Sequence, residues 1–395
     1  METKISQLIN FYFLYKNMSV EKIIGMDSAI EKKRQERLEN TKKVFDYLNV
    51  KEGEKFLFIT DNNPYYTDRE FIDLLKQELT ARQIEFDEFV ADDKKTKEKD
   101  LFKAVDGYQV VWNSWGMEET EIDFDKLVDA VIKKGGRMAY CPGLKAENLN
   151  NDGALAEDKA ELDYRLARME TRLKGVAGFH IRSSYGTDLL VPLKKGERRW
   201  HKSDGEIKPG SWDNLPGGEI FTTPDEEGAN GVLVLPVLSE EISRHQGVDE
   251  FVHLTIRGGK IAKIDGGRSA EKLRRYLEKN SKFEENPLSV LQCSEIAFGA
   301  NSKASAAVAK PEGSYRSKGN PVVETEKRLG TMHVAFGDSR HGEEGTEGHT
   351  EADIHLDFVL PRNGLTVKAF YSQEDFKKGK NGERLIDEGR WRLAD

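Results

Sequence analysis

The sequence contains little cysteine and little proline. The low proline content argues against a fibrous or disordered chain. Of its 395 residues, 2 are cysteines and 11 are prolines. Cys141 and Cys293 lie far apart in the chain and neither belongs to a CxxC pair, which argues against a disulfide framework and against a thiolate zinc site. Reduced thiols fit a reducing compartment, so we expect a cytoplasmic protein.

The chain also lacks a basic excess and a long apolar run. Its formal net charge is −9, and the charged residues, 33% of the chain, are of both signs and well mixed. We therefore expect no nucleic-acid partner, because no broad basic surface is available to neutralise a phosphate backbone. The apolar stretch Leu8 to Tyr15 is far shorter than the roughly 20 residues of a membrane span and has no cleavage site, so we interpret it as a packed helix.

The spacing of apolar residues predicts two domains after a helical extension. Residues 1–50 have the pattern of an extension rich in helix, and residues 51–175 alternate short apolar runs with segments of helical spacing. Strands separated by helices imply parallel pairing, so this part predicts an α/β domain with an open, mostly parallel sheet. Residues 176–395 are dominated by β-type runs and predict a β-rich α+β domain that binds metal.

Two segments of the second domain share a pattern of a polar residue, a β-branched residue and then Ala-Phe-Gly. They contain Glu295 and His333, each two positions before an alanine. Alternate residues of a strand face opposite sides of a sheet, so each polar side chain shares a face with a small alanine. This leaves room for an ion or a substrate beside Glu295 and His333.

Further candidate ligands lie on two other segments. His355 and Asp357 are two positions apart in an alternating run, so both side chains face the same way. An imidazole and a carboxylate side by side suit a divalent metal ion. Glu219 follows two glycines, which permit a close backbone approach, and begins a short β segment that Pro224 ends.

In combination, these motifs resemble the thermophilic metallopeptidase family that includes aminopeptidase T and aminopeptidase S. The resemblance spans roughly residues 55–370. It depends on four motifs in order, which are Asn214 to Thr222, Glu295 before its apolar-Gly step, Thr331 to Gly337, and Ile354 to Asp357. It implies an N-terminal α/β domain, a C-terminal catalytic domain and a homodimer.

The resemblance also implies a set of ligands for two divalent ions, Zn, Co or Mn. The implied ligands are Glu219, Glu295, His333, His355 and Asp357. One position departs from the family pattern, because this chain has Arg340 where the family has its catalytic tyrosine. The loop from Asp338 to Glu351 is rich in glutamate and histidine, and three roles stay open for it: to bind or gate substrate, to supply an extra ligand, or to form a mobile polar flap.

The function expected from this resemblance is that of a metallo-aminopeptidase acting on small peptides or on amino-acid derivatives. Glu295 or Glu219 would bridge two ions that activate a water molecule. Glu343, Glu344, Glu347 and Glu351 are unranked candidates for the proton shuttle. Arg340 is a candidate to clamp a substrate carboxylate through its planar guanidinium.

Two alternatives stay open. His333, His355 and Asp357 also form a two-histidine, one-carboxylate set, which suits mononuclear Fe(II) and oxygen activation. Ring-cleaving dioxygenases of dihydroxypyridines resemble this fold and keep a similar arrangement. The presence of both Glu219 and Glu295 favours two ions and therefore the hydrolase. The second alternative is a non-catalytic binding protein without a stoichiometric metal.

Overall fold

The computed structural model describes residues 20–117, 120–194, 196–236, 238, 242, 251–305, 321–341 and 347–392. The helix predicted at Leu8 to Tyr15 and the carboxylates of Glu343 and Glu344 lie outside these ranges. Within them, no helix has both the length and the apolar character needed to cross a membrane. Cys141 and Cys293 are buried free thiols.

The first half of the chain alternates strands with helices around a parallel sheet. The strands are β1 (Lys55–Thr60), β2 (Glu85–Val90), β3 (Val110–Asn113), β4 (Arg137–Tyr140) and β8 (Trp212–Asp213). They pair in the order β2-β1-β3-β4-β8, and every pair is parallel. The α-helices of this half are α1 (Val20–Tyr47), α2 (Arg69–Ala81), α3 (Glu98–Val105), α4 (Phe124–Ile132) and α5 (Lys159–Leu173). The predicted parallel sheet is thus confirmed.

The parallel pairing follows from the apolar character of the central strands. In β1, Phe56, Leu57, Phe58 and Ile59 are buried on both faces, as expected for a strand that helices cover on each side. The fifth strand, β8, comes from beyond residue 175 and pairs with β4. The chain therefore returns to the first sheet after the segment that the sequence predicts as a boundary.

The second half of the chain forms two antiparallel sheets. The eight-stranded sheet has the order β12-β11-β10-β6-β5-β16-β17-β18, and the five-stranded sheet has the order β15-β14-β13-β9-β7. The strands of the larger sheet are β5 (Gly178–Arg182), β6 (Asp188–Pro192), β10 (Asn230–Leu235), β11 (Val252–Arg257), β12 (Lys260–Asp265), β16 (Thr366–Phe370), β17 (Glu383–Asp387) and β18 (Arg390–Trp391). Gly258 and Gly259 form the hairpin turn between β11 and β12, with φ of 54° and 73°.

The smaller sheet carries the predicted ligands. Its strands are β7 (His201–Ser203), β9 (Glu219–Thr222), β13 (Cys293–Gly299), β14 (Met332–Gly337) and β15 (His355–Leu360). The described residues of this half also form three α-helices, namely α6 (Arg268–Ser281), α7 (Pro321–Lys327) and α8 (Gln373–Lys378). The back of the smaller sheet packs into the main core through residues that include Ile296, Phe298, Val334, Phe336 and Phe358.

Candidate metal centre

The candidate metal centre lies on one face of the five-stranded sheet. Glu295 is paired with Ala335, which is paired in turn with Asp357 on the next strand. His333 is paired with Ala297. The predicted shared face of Glu295, His333 and the two alanines is therefore present, and the small alanine side chains separate the polar ones.

His333 lies at the middle of this face and is fully buried. Its Nε2 atom is 2.9 Å from Oε1 of Glu295, 3.7 Å from Oε2 of Glu219 and 3.7 Å from Oδ1 of Asp357. Three carboxylates from three different strands thus surround one imidazole nitrogen. The structure brings together all the ligands that the motifs predict, since His355 lies beside Asp357.

His355 and Asp357 come from the same strand and point to the same side. Nε2 of His355 is 3.4 Å from Oδ1 of Asp357 and 3.9 Å from Oε2 of Glu295. On the other side of the ring, Nδ1 lies 2.9 Å from the carbonyl oxygen of Asp338. Because Nδ1 donates its proton to that carbonyl, Nε2 is the ring nitrogen that faces the carboxylates and would bind a metal ion.

The described residues include two groups that could each hold a metal ion. One consists of Glu295, His355 and Asp357, and the other of Glu326, His333 and Asp357, with the ligand atoms of each group within 4.8 Å of one another. Asp357 belongs to both groups, whereas the two histidines belong to different ones. The two-histidine set of His333, His355 and Asp357 therefore stays a prediction.

The carboxylates raise the pKa of both histidines. Burial alone would lower the pKa of His333, but Asp357, Glu295 and Glu219 raise it to about 9. Burial also opposes protonation of His355, while Asp357 and Glu295 raise its pKa to about 10. The negative potential of these carboxylates attracts any cation, so a divalent ion would compete with protons for the nitrogen lone pairs of His333 and His355.

The same two histidines lower the pKa values of two carboxylates in the cluster. Burial would raise the pKa of Asp357, but His333 and His355 hold it well below its usual range. Burial likewise opposes ionisation of Glu295, but a hydrogen bond from His333 and the positive charge of His355 lower the pKa of Glu295. By contrast, burial raises the pKa of Glu326 to about 8, although Lys327 opposes this shift.

Lys327 is a buried cation at the Glu219 end of the cluster. Its side chain is 2% exposed, and its Nζ atom is 2.5 Å from Oε1 of Glu219 and 3.1 Å from Oε1 of Glu326. Burial would lower its pKa, but these two carboxylates and Asp213 raise it above its ordinary value. Glu219 is thus bound to an ammonium group in this chain.

Several buried atoms of the cluster lack hydrogen-bond partners among the described residues. They are Oε2 of Glu219, Nδ1 of His333, Nε2 of His341 and Oδ1 of Asp357. A buried polar atom without a partner is costly, and a metal ion is one way to satisfy the carboxylate and imidazole atoms. The donor set of carboxylates and imidazoles fits iron, manganese or zinc.

The loop after β14 is anchored by two buried glutamates. Glu226 is ion-paired with Arg198 at 2.8 Å and accepts hydrogen bonds from the backbone of His349 and Thr350, each at 3.0 Å. Glu347 accepts a hydrogen bond from the backbone of Arg199 at 2.9 Å. Residues 347–350 of the loop are therefore tied to the segments beside β7 and β9, which argues against a free polar flap for these residues.

Among the loop residues that the structure describes, His341 reaches the ligand cluster. Its Nε2 atom is 3.3 Å from Oε2 of Glu295, and burial lowers its pKa. Its ring lies 5.2 Å from the ring of Phe221, which stacks on His201 at 5.3 Å with an interplanar angle of 27°. Nε2 of His201 is in turn held by Glu347 at 3.0 Å. These rings form an aromatic wall beside Glu295.

Arg340 points to its own loop. Its guanidinium pairs with Asp338 at 2.6 Å and with Glu351 at 2.8 Å, and its side chain is 41% exposed. These contacts do not bring it to the ligand cluster, so its catalytic role stays a prediction. Glu351, a candidate for the proton shuttle, is therefore engaged with Arg340.

Sequence reasoning missed Lys327, Glu326 and Asp213. The pair Glu326-Lys327 ends the short helix α7, and no spacing relates it to the ligands, because contacts distant in sequence bring it to Glu219. Asp213 was missed although it precedes the Asn214 motif directly. Burial raises its pKa, with Lys327 acting in the opposite direction.

Comparison with solved structures shows the fold. The structure of 2,5-dihydroxypyridine dioxygenase from Pseudomonas putida KT2440 matches with a TM-score of 0.62 and 18% identity, covering 92% of this chain and 98% of that one. Wild-type AmpT from Thermus thermophilus matches with a TM-score of 0.60 and 15% identity, covering 91% and 99%. Both proteins share the architecture of this chain.

A curated relative is similar over part of the chain. The 2,5-dihydroxypyridine 5,6-dioxygenase of Pseudomonas putida is 34% identical over 140 residues. The aligned segment is 35% of this chain and 38% of that protein's length.

The family profile NicX, described as 2,5-dihydroxypyridine 5,6-dioxygenase, matches residues 37–367. The expected membership of the aminopeptidase T family is therefore wrong, and so are the hydrolase, aminopeptidase and protease assignments. The motifs misled because their order reflects a fold that AmpT shares with the dioxygenase. The chain belongs to the NicX family of 2,5-dihydroxypyridine 5,6-dioxygenase.

Proposed function

We propose that this protein is an iron-dependent dioxygenase that opens the ring of a dihydroxypyridine. One observation carries the proposal: a chain of the NicX family brings Glu295, His355 and Asp357 within 4.8 Å of one another. Three protein ligands would leave other coordination positions of an iron ion open for substrate and oxygen, as a mononuclear oxygenase needs. The earlier expectation of two Zn, Co or Mn ions is replaced here by one Fe(II).

In this proposal Glu295, His355 and Asp357 hold the ion, and His333 supports them. The hydrogen bond between Nδ1 of His355 and the carbonyl of Asp338 fixes the tautomer that leaves Nε2 free to bind metal. His333 holds Oε1 of Glu295 at 2.9 Å, so Oε2 of that carboxylate is directed towards His355. Fe(II), when bound, supplies the redox chemistry for activating oxygen.

The aromatic wall suits a flat heteroaromatic substrate. Phe221 and the ring of His341 lie 5.2 Å apart beside Glu295, and aromatic faces favour stacked or edge contacts with another ring. A dihydroxypyridine placed against this wall would have its hydroxyl groups towards the carboxylate and histidine cluster. The family and this wall both support a dihydroxypyridine as the proposed substrate.

His341 is the proposed acceptor of a hydroxyl proton from the substrate. Its Nε2 atom has no hydrogen-bond partner among the described residues, and burial lowers the pKa of the ring. An imidazole that is neutral near pH 7 has a free lone pair that can accept a proton, as a general base requires. The homodimer that the resemblance to aminopeptidases implies stays a prediction.

Oxygen uptake tests this function. Protein loaded anaerobically with Fe(II) should consume oxygen when 2,5-dihydroxypyridine is added. A pyridine with a single hydroxyl group serves as the matched control and should cause much slower uptake. No uptake by a fully loaded protein would contradict the proposal, and hydrolysis of amino-acid amides in the same preparation would restore the hydrolase.

A further inference from the structure

The buried Lys327 occupies a place where two carboxylates of the centre meet. Its Nζ atom contacts Oε1 of Glu219 at 2.5 Å and Oε1 of Glu326 at 3.1 Å. Glu326 belongs to the second group of possible metal ligands, with His333 and Asp357. Glu219 borders that group, because its Oε2 atom is 3.7 Å from Nε2 of His333. The ammonium therefore lies among the ligands that a second ion would use.

The backbone holds Lys327 in this position. The amide of Asn301 donates to the carbonyl of Lys327 at 2.7 Å, and Leu329 donates back to Asn301 at 2.8 Å. The end of helix α7 can lie this close to β13 because residue 299 is glycine. A Cβ atom there would be 2.6 Å from the carbonyl oxygen of Glu326 and closer still to that of Arg328.

The positive charge of Lys327 disfavours a second ion beside it. Its ammonium group already contacts Glu219 and Glu326, two of the carboxylates that a second ion would use. A second ion would also lie next to a fixed positive charge, and like charges at short range in a buried site repel strongly.

We propose that Lys327 takes the place of a second metal ion, so that the centre binds one divalent ion per chain, at Glu295, His355 and Asp357. The inference rests on the proposed function only in requiring that a metal ion occupies this centre. It accounts for the presence of Glu219 in a site with a single ion, since that carboxylate binds the ammonium.

Metal stoichiometry tests the inference without an activity assay. Equilibrium dialysis against Mn²⁺, followed by elemental analysis, should give one ion per chain for the wild type. The variant Lys327→Met keeps the length of the side chain but loses its charge, and should bind two. Lys202→Met is the matched control, because Nζ of Lys202 pairs with Glu170 at 2.7 Å on the surface. It should bind one.

A second variant controls for misfolding, because removal of Lys327 alone leaves buried carboxylates unpaired. Lys327→Met combined with Glu219→Gln removes both partners of the ion pair and should fold and bind one ion. Anomalous scattering from wild-type crystals soaked in Mn²⁺ should show one peak, at His355 and Asp357. Two ions in the wild type, a second peak between Glu219 and Glu326, or a single ion in folded Lys327→Met would overturn the inference. Oxygen uptake tests the proposed function separately, so the two failures are distinguishable.

Discussion

The Nδ1 atom of His355 lies 2.9 Å from the backbone carbonyl of Asp338, while Nε2 of the same ring lies 3.4 Å from Oδ1 of Asp357. The ring is thus held at Nδ1, and its Nε2 atom faces Asp357 on the other side. Asp338 follows β14 directly, so the strand that carries His333 also orients the histidine of β15. This arrangement is typical of a metal ligand whose tautomer is set by a backbone acceptor.

Removing this imidazole should weaken metal binding. We predict that His355→Ala lowers the affinity for Fe(II) or Mn²⁺ by at least about 100-fold, because it deletes a direct ligand. Isothermal titration under anaerobic conditions measures the change. His253→Ala is the control, since His253 is exposed on β11. Equal affinities of the two variants would contradict the assignment of His355.

His341 should affect the chemical step more than metal binding. We predict that His341→Gln lowers kcat by about 100-fold, the range expected for loss of a general base, and leaves the metal content unchanged. His201→Gln is a matched control, because His201 stacks on the same Phe221 but its Nε2 atom is held by Glu347. Similar losses of kcat in both variants would contradict a specific role for His341.

The ion pair at the base of the loop should make stability depend on pH. Burial opposes ionisation of Glu226, but Ser339, Arg198 and the amide of His349 lower its pKa from 4.5 to about 2. A lowered carboxyl pKa stabilises the fold above pH 4.5, and the stabilisation is lost as pH falls towards 2. A shift of this size corresponds to about 3 kcal/mol at neutral pH.

The variant Glu226→Gln measures this contribution. Its free energy of unfolding at pH 7, from urea denaturation, should be lower than that of the wild type by about 3 kcal/mol. The difference should shrink at pH values below about 4.5, because the unfolded chain then binds a proton at Glu226 that the folded wild type does not bind until the pH approaches 2. A difference that stays constant between pH 7 and pH 3.5 would show that packing, and not charge, is responsible.

Arg340 should matter little for turnover. Its guanidinium pairs with Asp338 and Glu351 on its own loop and is 41% exposed, and exposed ion pairs contribute little. We predict that Arg340→Ala changes kcat/KM for 2,5-dihydroxypyridine by less than about threefold. A loss of 100-fold or more would instead support the substrate clamp that the sequence suggests.

Local patterns predicted the ligand face because strand alternation is a short-range property. Glu295 and His333 share a face with Ala297 and Ala335 as predicted, since the side chains of a strand alternate whatever surrounds it. The hairpin at Gly258 and Gly259 was predictable for the same reason.

The position of Lys327 was not predictable, because it depends on contacts between distant segments. The close approach at Gly299 and the pairing with Asn301 bring the ammonium to Glu219, 108 positions away in the sequence. Without that ion pair, the two carboxylates Glu219 and Glu295 suggest two metal ions. The wrong choice of hydrolase follows from this, together with motifs that reflect the fold shared by AmpT and the dioxygenase.

The most direct test of the dioxygenase is the origin of the oxygen atoms in the product. Protein loaded with Fe(II) should be supplied with 2,5-dihydroxypyridine under ¹⁸O₂, and the product analysed at once by mass spectrometry. We predict a ring-opened product that carries two labelled atoms from dioxygen. A product without label under ¹⁸O₂, or one that takes its oxygen from labelled water, would contradict it.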